Sequence, residues 1–245
     1  NSVIPSSNAF TIQARVYGKD IIIPEGNESG YSNFIAQGAN GNNFFIGHYK
    51  TDNQIGNIRI GQWHPQVTFP TNEWVDISYV QTEDRSYLFI NNELVADTNE
   101  EECEVWWDQP LGCTINFPDE NGELKIGKQW GNDIEDWNGL MDYIRISDSP
   151  LYTTTQEIYA YEYNKDDFLA VYEFKNRSDN QYSNFLVDHS GNQNHGQIID
   201  ATWSLDGCAV DCFGNCVDPM DYFASIDDCG VCGGQNQDKD CAGVC

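Results

Sequence analysis

Positively charged side chains are scarce in this sequence. Its 245 residues include 12 lysines and arginines against 39 aspartates and glutamates, which gives a formal net charge of −27. Such a surface repels phosphate backbones and anionic lipid headgroups. The composition therefore argues against nucleic acid as a partner and against direct membrane insertion. The surplus of carboxylates is explained either by solubility or by calcium sites, and the composition leaves both explanations open.

Long apolar runs are also missing. No stretch approaches the roughly 20 residues that a membrane-spanning helix needs. The sequence begins at Asn1 without a charged and then apolar leader, so we expect that a signal peptide has been removed or that the chain is a fragment. A nucleophile-elbow pattern for Ser–His–Asp chemistry is absent too. The sequence thus indicates neither an integral membrane protein nor a hydrolase of that kind.

Cysteine is sparse over most of the chain and dense at its end. The nine cysteines are Cys103, Cys113, Cys208, Cys212, Cys216, Cys229, Cys232, Cys241 and Cys245. Such a cluster is typical of disulfides formed outside the cytosol. The pair Cys229 and Cys232 would also suit zinc, but in a secreted chain a disulfide is favoured. Glycosylation acceptor triplets at Asn27 and Asn176 point to the same extracellular location.

Alternation of apolar and polar residues with a period of two dominates the chain. Residues 10–17 place Phe, Ile, Ala and Val on one face and Thr, Gln, Arg and Tyr on the other, as in a half-buried strand. Similar segments predict strands at 34–36, 43–49, 58–60, 74–80, 86–90, 94–95, 124–127, 140–146, 168–174 and 198–203. A short helix is predicted over 153–163. Many short strands at regular spacing predict an all-β fold, an antiparallel sandwich.

A repeat marks the last part of the chain. Asp211-Cys-Phe-Gly-Asn-Cys216 recurs as Asp240-Cys-Ala-Gly-Val-Cys245, with Cys-Gly-Val-Cys-Gly-Gly between the two copies. Because the composition changes at Gly207, we predict a sandwich domain over 1–206 and a small, disulfide-rich and mostly irregular tail over 207–245. The second copy stops at its second cysteine, so we expect the repeats to continue beyond residue 245.

Several motifs in order resemble laminin-G-like domains, which belong to the concanavalin A-like lectin and glucanase superfamily. These motifs are residues 10–16, 74–80, 87–95, 126–128 and 138–146, followed by the polar loop 188–196 and the segment 201–204. The resemblance covers about residues 8–205 and implies a jelly-roll sandwich. The tail resembles Cys-Gly-Val-Cys-Gly-Gly repeats of large secreted and surface proteins.

The order of the motifs departs from the family pattern. The Tyr-x-Phe strand and the Ser-Gly-Asn loop usually open such a domain, but here they come last, within residues 168–204. Either the domain is permuted, or a second domain begins at this point. We favour the permuted order, in which the strands of 168–204 complete the sheet of their own domain rather than that of a neighbouring copy. An incomplete sandwich would expose a long sheet edge.

The polar loop from Asp188 to Gly196 is the predicted metal site. The loop offers the oxygen ligands Asp188, Asn192 and Asn194. Similar family members hold Ca²⁺ beside this loop, often with an aspartate from the strand 138–146, and the resemblance therefore implies Asp142 as a further ligand. Calcium takes six to eight oxygen ligands of these kinds. The alternative is that Asp188 and Asn192 only cap tight turns.

Four tryptophans are candidates for stacking on sugar rings or on a protein partner: Trp63, Trp106, Trp107 and Trp130. Trp106 and Trp107 are adjacent, so in an extended loop both cannot face the core, although packing of the loop onto its own sandwich explains them equally well. His48 is expected on the surface of a sheet. The Glu-x-Asp-x-Glu strand pattern of the family's hydrolases is absent, which predicts that the chain is not an enzyme.

The sequence therefore predicts a non-catalytic extracellular module for cell adhesion or assembly. It would be a glycoprotein building block of a surface-attached multidomain adhesin or of an extracellular filament, with other extracellular proteins or copies of itself as partners. The alternative is a lectin-like, carbohydrate-binding module that uses the loop tryptophans. The cysteine repeat in the tail favours the first interpretation.

Cys103 and Cys113 are predicted to form a disulfide, because they bracket a nine-residue loop and lie far from the other seven cysteines. In the chain-entropy model, closing a loop of this size stabilises the fold by roughly 2–3 kcal/mol. Peptide mapping without reduction should recover these two cysteines as one linked pair. Linkage of Cys103 to a cysteine of the tail would contradict the separation into sandwich and tail.

Overall fold

The computed structural model describes residues 3–5, 9–21, 23, 29–38, 44–51, 56–61, 63–98, 122–128, 136–174, 185–199, 201, 209–210 and 216–217. The chain forms two compact units, Asn1–Ile198 and Ile199–Cys245. The division falls before Gly207, the position at which the composition changes. In the second unit, the structure describes one short antiparallel pair of strands.

The described residues form fourteen strands and two short helices. The strands are β1 Phe10–Gly18, β2 Ser29–Gln37, β3 Phe44–Thr51, β4 Asn57–Ile60, β5 Trp74–Gln81, β6 Ser86–Ile90, β7 Glu93–Asp97, β8 Leu124–Ile126, β9 Gly139–Ser147, β10 Ala170–Glu173, β11 Phe185–Leu186, β12 Gly196–Gln197, β13 Ala209–Val210 and β14 Cys216–Val217. The helices are α1, Thr155–Ala160, and a 3-10 turn at Lys165–Asp167. Neither has the length or the apolar character to cross a membrane.

Two antiparallel sheets make up the sandwich. The larger has the strand order β10-β9-β1-β5-β6-β7, and the smaller has the order β4-β3-β2-β8. The pairs β11–β12 and β13–β14 are separate. The fold is therefore the all-β, antiparallel sandwich that the alternating sequence pattern predicts, with the jelly-roll architecture that the family resemblance implies.

Aromatic side chains from both sheets meet in the core. Phe10 of β1 packs edge-on against Phe44 of β3 with ring centroids 5.5 Å apart, and Tyr79 of β5 lies 5.7 Å and 5.6 Å from these two rings. All three side chains are fully buried. Burying one such side chain contributes about 1.5–3 kcal/mol, so this contact between the sheets is a main source of stability.

Within the segment 168–204, residues 170–173 join the larger sheet of their own chain. Strand β10 pairs with β9 in antiparallel register, with Tyr172 opposite Ile144, and it forms the outer strand of the larger sheet. The predicted strand at 198–203 is wrong for the residues that the structure describes there, since 198, 199 and 201 are not in a strand. Ile198 packs against the core while Ile199 is 69% exposed, so the apolar run is not buried as a strand would be.

His48 corrects a second expectation. The side chain shares the inward face of β3 with Phe44 and is 1% exposed, so it is not a residue of the sheet surface. Its ring stacks on Phe69 at 4.4 Å and meets the edge of Trp137 at 5.7 Å. Neither ring nitrogen has a hydrogen-bond partner in the described part of the chain. Burial lowers the pKa of His48 to about 4, so the ring is neutral in the folded state.

Because His48 is buried as a neutral ring, we expect the free energy of unfolding to decrease in mild acid. An unfolded histidine has a pKa near 6.5, so below that pH the unfolded chain takes up a proton that the folded chain refuses until about pH 4. The free energy of unfolding should therefore fall by roughly 3 kcal/mol between pH 6.5 and pH 4 through His48. Denaturant titrations of the wild type and of His48→Leu across this range measure the difference.

His64 provides a comparison, because burial also lowers its pKa to about 4. Each single variant, His48→Leu or His64→Leu, should flatten part of the pH profile, and the double variant should flatten more of it. A His48→Leu profile parallel to that of the wild type would contradict the burial of a neutral ring.

Candidate functional site

The outer face of the larger sheet follows from the alternation along β1. Because the apolar residues of β1 point into the core, the alternate residues Gln13 and Arg15 point outward. The antiparallel register places Gln13 opposite Ser78 of β5 on one side and Arg145 of β9 on the other. Residues more than a hundred positions apart thereby form one surface.

Residues 148–168, which we call the strap, cover one end of this face. In the strap, Tyr152 packs edge-on against Phe89 of β6 with ring centroids 5.2 Å apart. A capping box starts helix α1: the Thr154 hydroxyl accepts a hydrogen bond from the Glu157 amide at 3.2 Å. The Glu157 carboxylate accepts one from the Thr153 amide at 2.6 Å. The strap is thus fixed both to itself and to the sheet.

A groove of about 190 Å³ lies between the strap and the outer face of the sheet. The groove is lined by Gln13, Asp76, Ser78, Asn92, Tyr143, Arg145, Tyr152, Ile158, Tyr161 and Tyr163. The β6–β7 turn carries Asn92 here, and positive φ angles of 50° at Asn91 and 68° at Asn92 give the tight two-residue turn that asparagine tolerates. Four of the lining side chains are tyrosines.

Arg145 lies between two aromatic rings in this groove. Its guanidinium carbon is 4.1 Å from the ring centroid of Tyr143 and 4.1 Å from that of Tyr163. Its Nη2 atom lies 3.8 Å from Glu173 Oε1 on the neighbouring strand, a loose ion pair. Two cation–π contacts hold the guanidinium in one orientation, so its planar donors are fixed before any ligand arrives.

A carboxylate lies beside this stack. The Tyr143 hydroxyl donates to Asp76 Oδ1 at 2.8 Å, and Arg15 Nη1 lies 3.6 Å from Asp76 Oδ2. Burial, with the negative charge of Asp76, raises the pKa of Tyr143. The hydroxyl therefore stays protonated, and Asp76 keeps lone pairs for further donors.

The floor of the groove carries a second set of fixed polar groups. The Tyr152 hydroxyl donates to Ser78 Oγ at 2.8 Å and accepts from Gln13 Nε2 at 2.9 Å. Tyr161, at the wall, donates its hydroxyl to Asp167 Oδ2 at 2.9 Å. Aromatic faces beside oriented amide, hydroxyl, guanidinium and carboxylate groups suit a compact ligand with an apolar face and many hydroxyl groups.

Of the predicted sugar-stacking tryptophans, Trp63 does not line this groove. Trp63 is 6% exposed and packs in the core beside Tyr79, with ring centroids 6.4 Å apart, so its prediction as a contact residue is not supported. Trp106, Trp107 and Trp130 lie outside the described residues, as do Asn27 and Asn176. The predicted disulfide between Cys103 and Cys113 also lies outside them, and the side chains of the other cysteines are not described.

Asp188, the first predicted calcium ligand, is buried and already surrounded by donors. Its Oδ1 atom accepts from the amides of Val171 and Ser190, both at 2.9 Å. Its Oδ2 atom accepts from the Ser190 hydroxyl at 2.8 Å and from the Asn194 amide at 2.9 Å. Burial alone would raise the pKa of Asp188, but these hydrogen bonds outweigh it and hold the pKa below its usual range.

The other predicted ligands are also engaged. The side-chain amides of Asn192 and Asn194 donate to the Leu169 carbonyl at 3.2 and 2.8 Å, and Asp142 lies 3.7 Å from the Arg15 guanidinium. In the described part of the chain, no group of three or more His, Cys, Asp or Glu side chains is placed to hold a metal. An ionised carboxylate offers about four acceptor positions, and donors fill all four at Asp188, so this arrangement does not fit a cation there. Calcium binding by the chain stays a prediction.

The groove was missed by sequence reasoning for a physical reason. Polar residues on the outward positions of strands are ordinarily only solvated, so Gln13 and Asp76 give no signal by themselves. The one local signal is the run of tyrosines at 159, 161 and 163, in the second half of the predicted helix. Only the strand register brings these positions together.

Comparison with known proteins gives a likeness of fold. No protein-family model matches the sequence, and no curated protein matches it. Among solved structures, a Bacteroides ovatus protein provisionally described as carbohydrate-binding aligns with a TM-score of 0.51 and 16% identity. The alignment covers 77% of this chain and 51% of that one, so the chain spans about half the length of its match. The likeness shows the sandwich fold alone.

Two further structures are more distant. Domain 4 of AbnA, an extracellular arabinanase from Geobacillus stearothermophilus solved with arabinotriose, aligns with a TM-score of 0.43 and 15% identity, over 63% of this chain and 66% of that one. A Trypanosoma rangeli sialidase mutant aligns with a TM-score of 0.40 and 14% identity, over 61% of this chain and 22% of that one. Scores of this size support no conclusion about function.

From its hydrogen bonds, we expect the Asp188 side chain to stabilise the fold without a bound metal. Asp188→Ala should lower the free energy of unfolding by about 2–4 kcal/mol, because it leaves buried amide donors without acceptors. The depressed pKa makes this stabilisation complete above the unfolded value near 4, so the measurement belongs at pH 7. Gln197→Ala, at an exposed position of β12, serves as the control and should change little.

Chelation separates the hydrogen-bonded loop from the predicted calcium site. Dialysis against EDTA should leave the melting temperature of the wild type unchanged if the loop needs no ion. A melting temperature that falls with EDTA and recovers with added Ca²⁺, in the wild type but not in Asp188→Ala, would restore the calcium prediction at this loop.

Proposed function

We propose that this chain is a non-catalytic carbohydrate-binding module, and that the groove between the strap and the larger sheet holds a sugar unit. The observation that carries the proposal is the guanidinium of Arg145, held between the rings of Tyr143 and Tyr163 beside the carboxylate of Asp76. Tyr163 is partly exposed, with 47% of its surface open, so a ligand can reach this stack from solvent.

Sugar chemistry matches the groups in the groove. A pyranose or furanose ring has a C–H face that packs on aromatic rings, and hydroxyl groups at its edge that both donate and accept. Arg145 can only donate and the carboxylate of Asp76 can only accept, so the pair can bind two neighbouring hydroxyls in complementary directions. Gln13 and Ser78 add groups that do both.

The charges favour a neutral sugar over an acidic one. Asp76 lines the groove, Glu173 lies 3.8 Å from Arg145, and the whole chain carries a net charge of −27. An anionic ligand would meet this field and compete with Glu173 for the one guanidinium in the groove. A neutral ligand meets no such cost.

Hydrolysis of the bound sugar is not supported by the same residues. Glycosidases ordinarily need two carboxyl groups flanking the scissile bond. Asp76 is the one carboxylate among the described residues that line the groove, and it already accepts the Tyr143 hydroxyl. We therefore propose binding without catalysis, in line with the absence of the hydrolase strand pattern from the sequence.

The fold comparison supports this proposal by analogy. The Bacteroides ovatus protein shares the sandwich, and its description as carbohydrate-binding favours the lectin-like alternative over the adhesion module. The proposed binding site differs from the predicted one, because it uses the tyrosines of the groove instead of the loop tryptophans. The extracellular location and the adhesion or filament role stay predictions, because they depend on cysteines and a tail outside the described residues.

A glycan array that includes neutral and acidic oligosaccharides tests the proposal directly. The wild type should bind neutral glycans, and Tyr163→Ala should weaken binding by at least about tenfold, or 1.4 kcal/mol. Tyr159→Ala is a matched control: Tyr159 belongs to the same strap and is 63% exposed, but it does not line the groove.

Isothermal titration with the array's best binder quantifies both variants. Equal affinities for the wild type and Tyr163→Ala, with Tyr159→Ala weaker, would remove the groove as the site. An array with no bound glycan, or with only acidic glycans bound, would contradict the proposed ligand class.

A further inference from the structure

A second aromatic cluster lies on the same outer face, outside the groove. We call this cluster and the stack around Arg145 the two stations. Trp74 at the start of β5 is the cross-strand partner of Tyr17 on β1, and their rings meet edge to face at 5.8 Å and 64°. The Arg15 guanidinium lies 6.0 Å from the Trp74 ring centroid. Both rings are only partly buried, and the Arg15 side chain is 42% exposed. This cluster has the same make-up as the stack around Arg145 in the groove: two aromatic rings and one arginine.

Polar contacts join this station to the groove. Arg15 lies 3.6 Å from Asp76 and 3.7 Å from Asp142, so its charge is balanced by both carboxylates. Asp76 in turn accepts the hydroxyl of Tyr143, whose ring stacks on Arg145. A continuous strip of aromatic and polar side chains therefore crosses β5, β1 and β9. We call it the diagonal strip, from Trp74 to Tyr163.

The register gives the length of the strip. Arg145 is opposite Gln13, which is opposite Ser78, so Arg145 lies two strand spacings from β5 at the level of Ser78. Trp74 is four residues before Ser78 on β5. With about 4.8 Å between strands and about 3.4 Å per residue, Trp74 and Arg145 are roughly 17 Å apart. One sugar ring cannot contact both ends.

The groove itself is small. Its volume of about 190 Å³ is below the roughly 300–1,000 Å³ of pockets that enclose a drug-sized ligand. It therefore suits one unit of a larger molecule rather than a whole oligosaccharide. The remaining units need a surface outside the groove, and the diagonal strip continues with groups of the same chemistry.

We propose that the diagonal strip binds an extended saccharide chain, with one sugar unit in the groove and another on Trp74 and Tyr17. The proposal rests on the proposed function and adds the ligand's form: a polymer or long oligosaccharide rather than a single terminal sugar. Arg15 and Asp76 lie between the two stations and bind hydroxyls of the intervening units. Asp76 has 35% of its side-chain surface exposed, which leaves it accessible from solvent.

Oligosaccharides of increasing length test the strip. The probes are cello-, xylo-, manno- and arabino-oligosaccharides of two to six sugar units, titrated calorimetrically against the wild type. For at least one series, we expect affinity to rise at least tenfold from the disaccharide to the longest member. Trp74→Ala should abolish this gain and leave the disaccharide affinity unchanged, whereas Tyr163→Ala should weaken every member.

The controls separate the strip from the groove. Unchanged disaccharide affinity and an unchanged melting temperature show that Trp74→Ala still folds, and Trp74→Phe should restore part of the length dependence. If Trp74→Ala unfolds, Tyr17→Ala replaces it with the same expectation. A wild-type affinity that does not rise beyond the disaccharide, or a length dependence that Trp74→Ala and Tyr17→Ala leave intact, overturns the strip but not the groove. Absence of binding at every length overturns both.

Discussion

The two-residue period of β1 ties the hydrophobic core to the candidate site. The contact of Phe10 with Phe44 across the two sheets requires the even-numbered, apolar residues of β1 to point inward, which leaves Gln13 and Arg15 on the outside. A register slip of one residue would bury Arg15 and expose Ile12, a cost that the core cannot absorb. The same packing that stabilises the sandwich therefore decides which polar side chains face the groove, and the aromatic rings beside the arginines then fix the orientation of each guanidinium.

At Val171, the outer edge of the larger sheet is closed by the polar loop 188–196, through one side chain and one backbone amide. Val171 of β10 donates its amide to Asp188 and accepts the His189 amide at its carbonyl, so the loop satisfies both groups of this exposed edge. Unpaired edge groups are a template for association with other chains, and their satisfaction removes that template at this position. Val171 is opposite Arg145 in the register, and Glu173 follows on the same strand. The loop thereby also supports the strand that balances the charge of Arg145.

Local sequence patterns predicted the strands well where burial alternates. Strand β5 was expected at 74–80 and runs over Trp74–Gln81, and β9 was expected at 140–146 and runs over Gly139–Ser147. Patterns failed where a side chain's neighbours come from elsewhere in the chain. The sequence suggested Trp63 as a contact residue and His48 as a residue of the sheet surface, but both lie in the core. Their ring partners are distant in sequence: Tyr79 for Trp63, and Phe69 and Trp137 for His48. The groove could not be predicted for the same reason, since it exists only after β1, β5 and β9 are in register.

The arginines on the outer face are held in a way that is consistent with the acidic composition of the chain. With 12 lysines and arginines against 39 acidic residues, many carboxylates are available to pair with each guanidinium. Both arginines of the diagonal strip are fixed by aromatic rings: Arg145 between Tyr143 and Tyr163, and Arg15 beside Trp74. Each is also balanced by a nearby carboxylate, so the strip has directed donors and acceptors without a strong local charge. Directed donors and acceptors of this kind suit the hydroxyl groups of the uncharged polymer that we propose as the ligand.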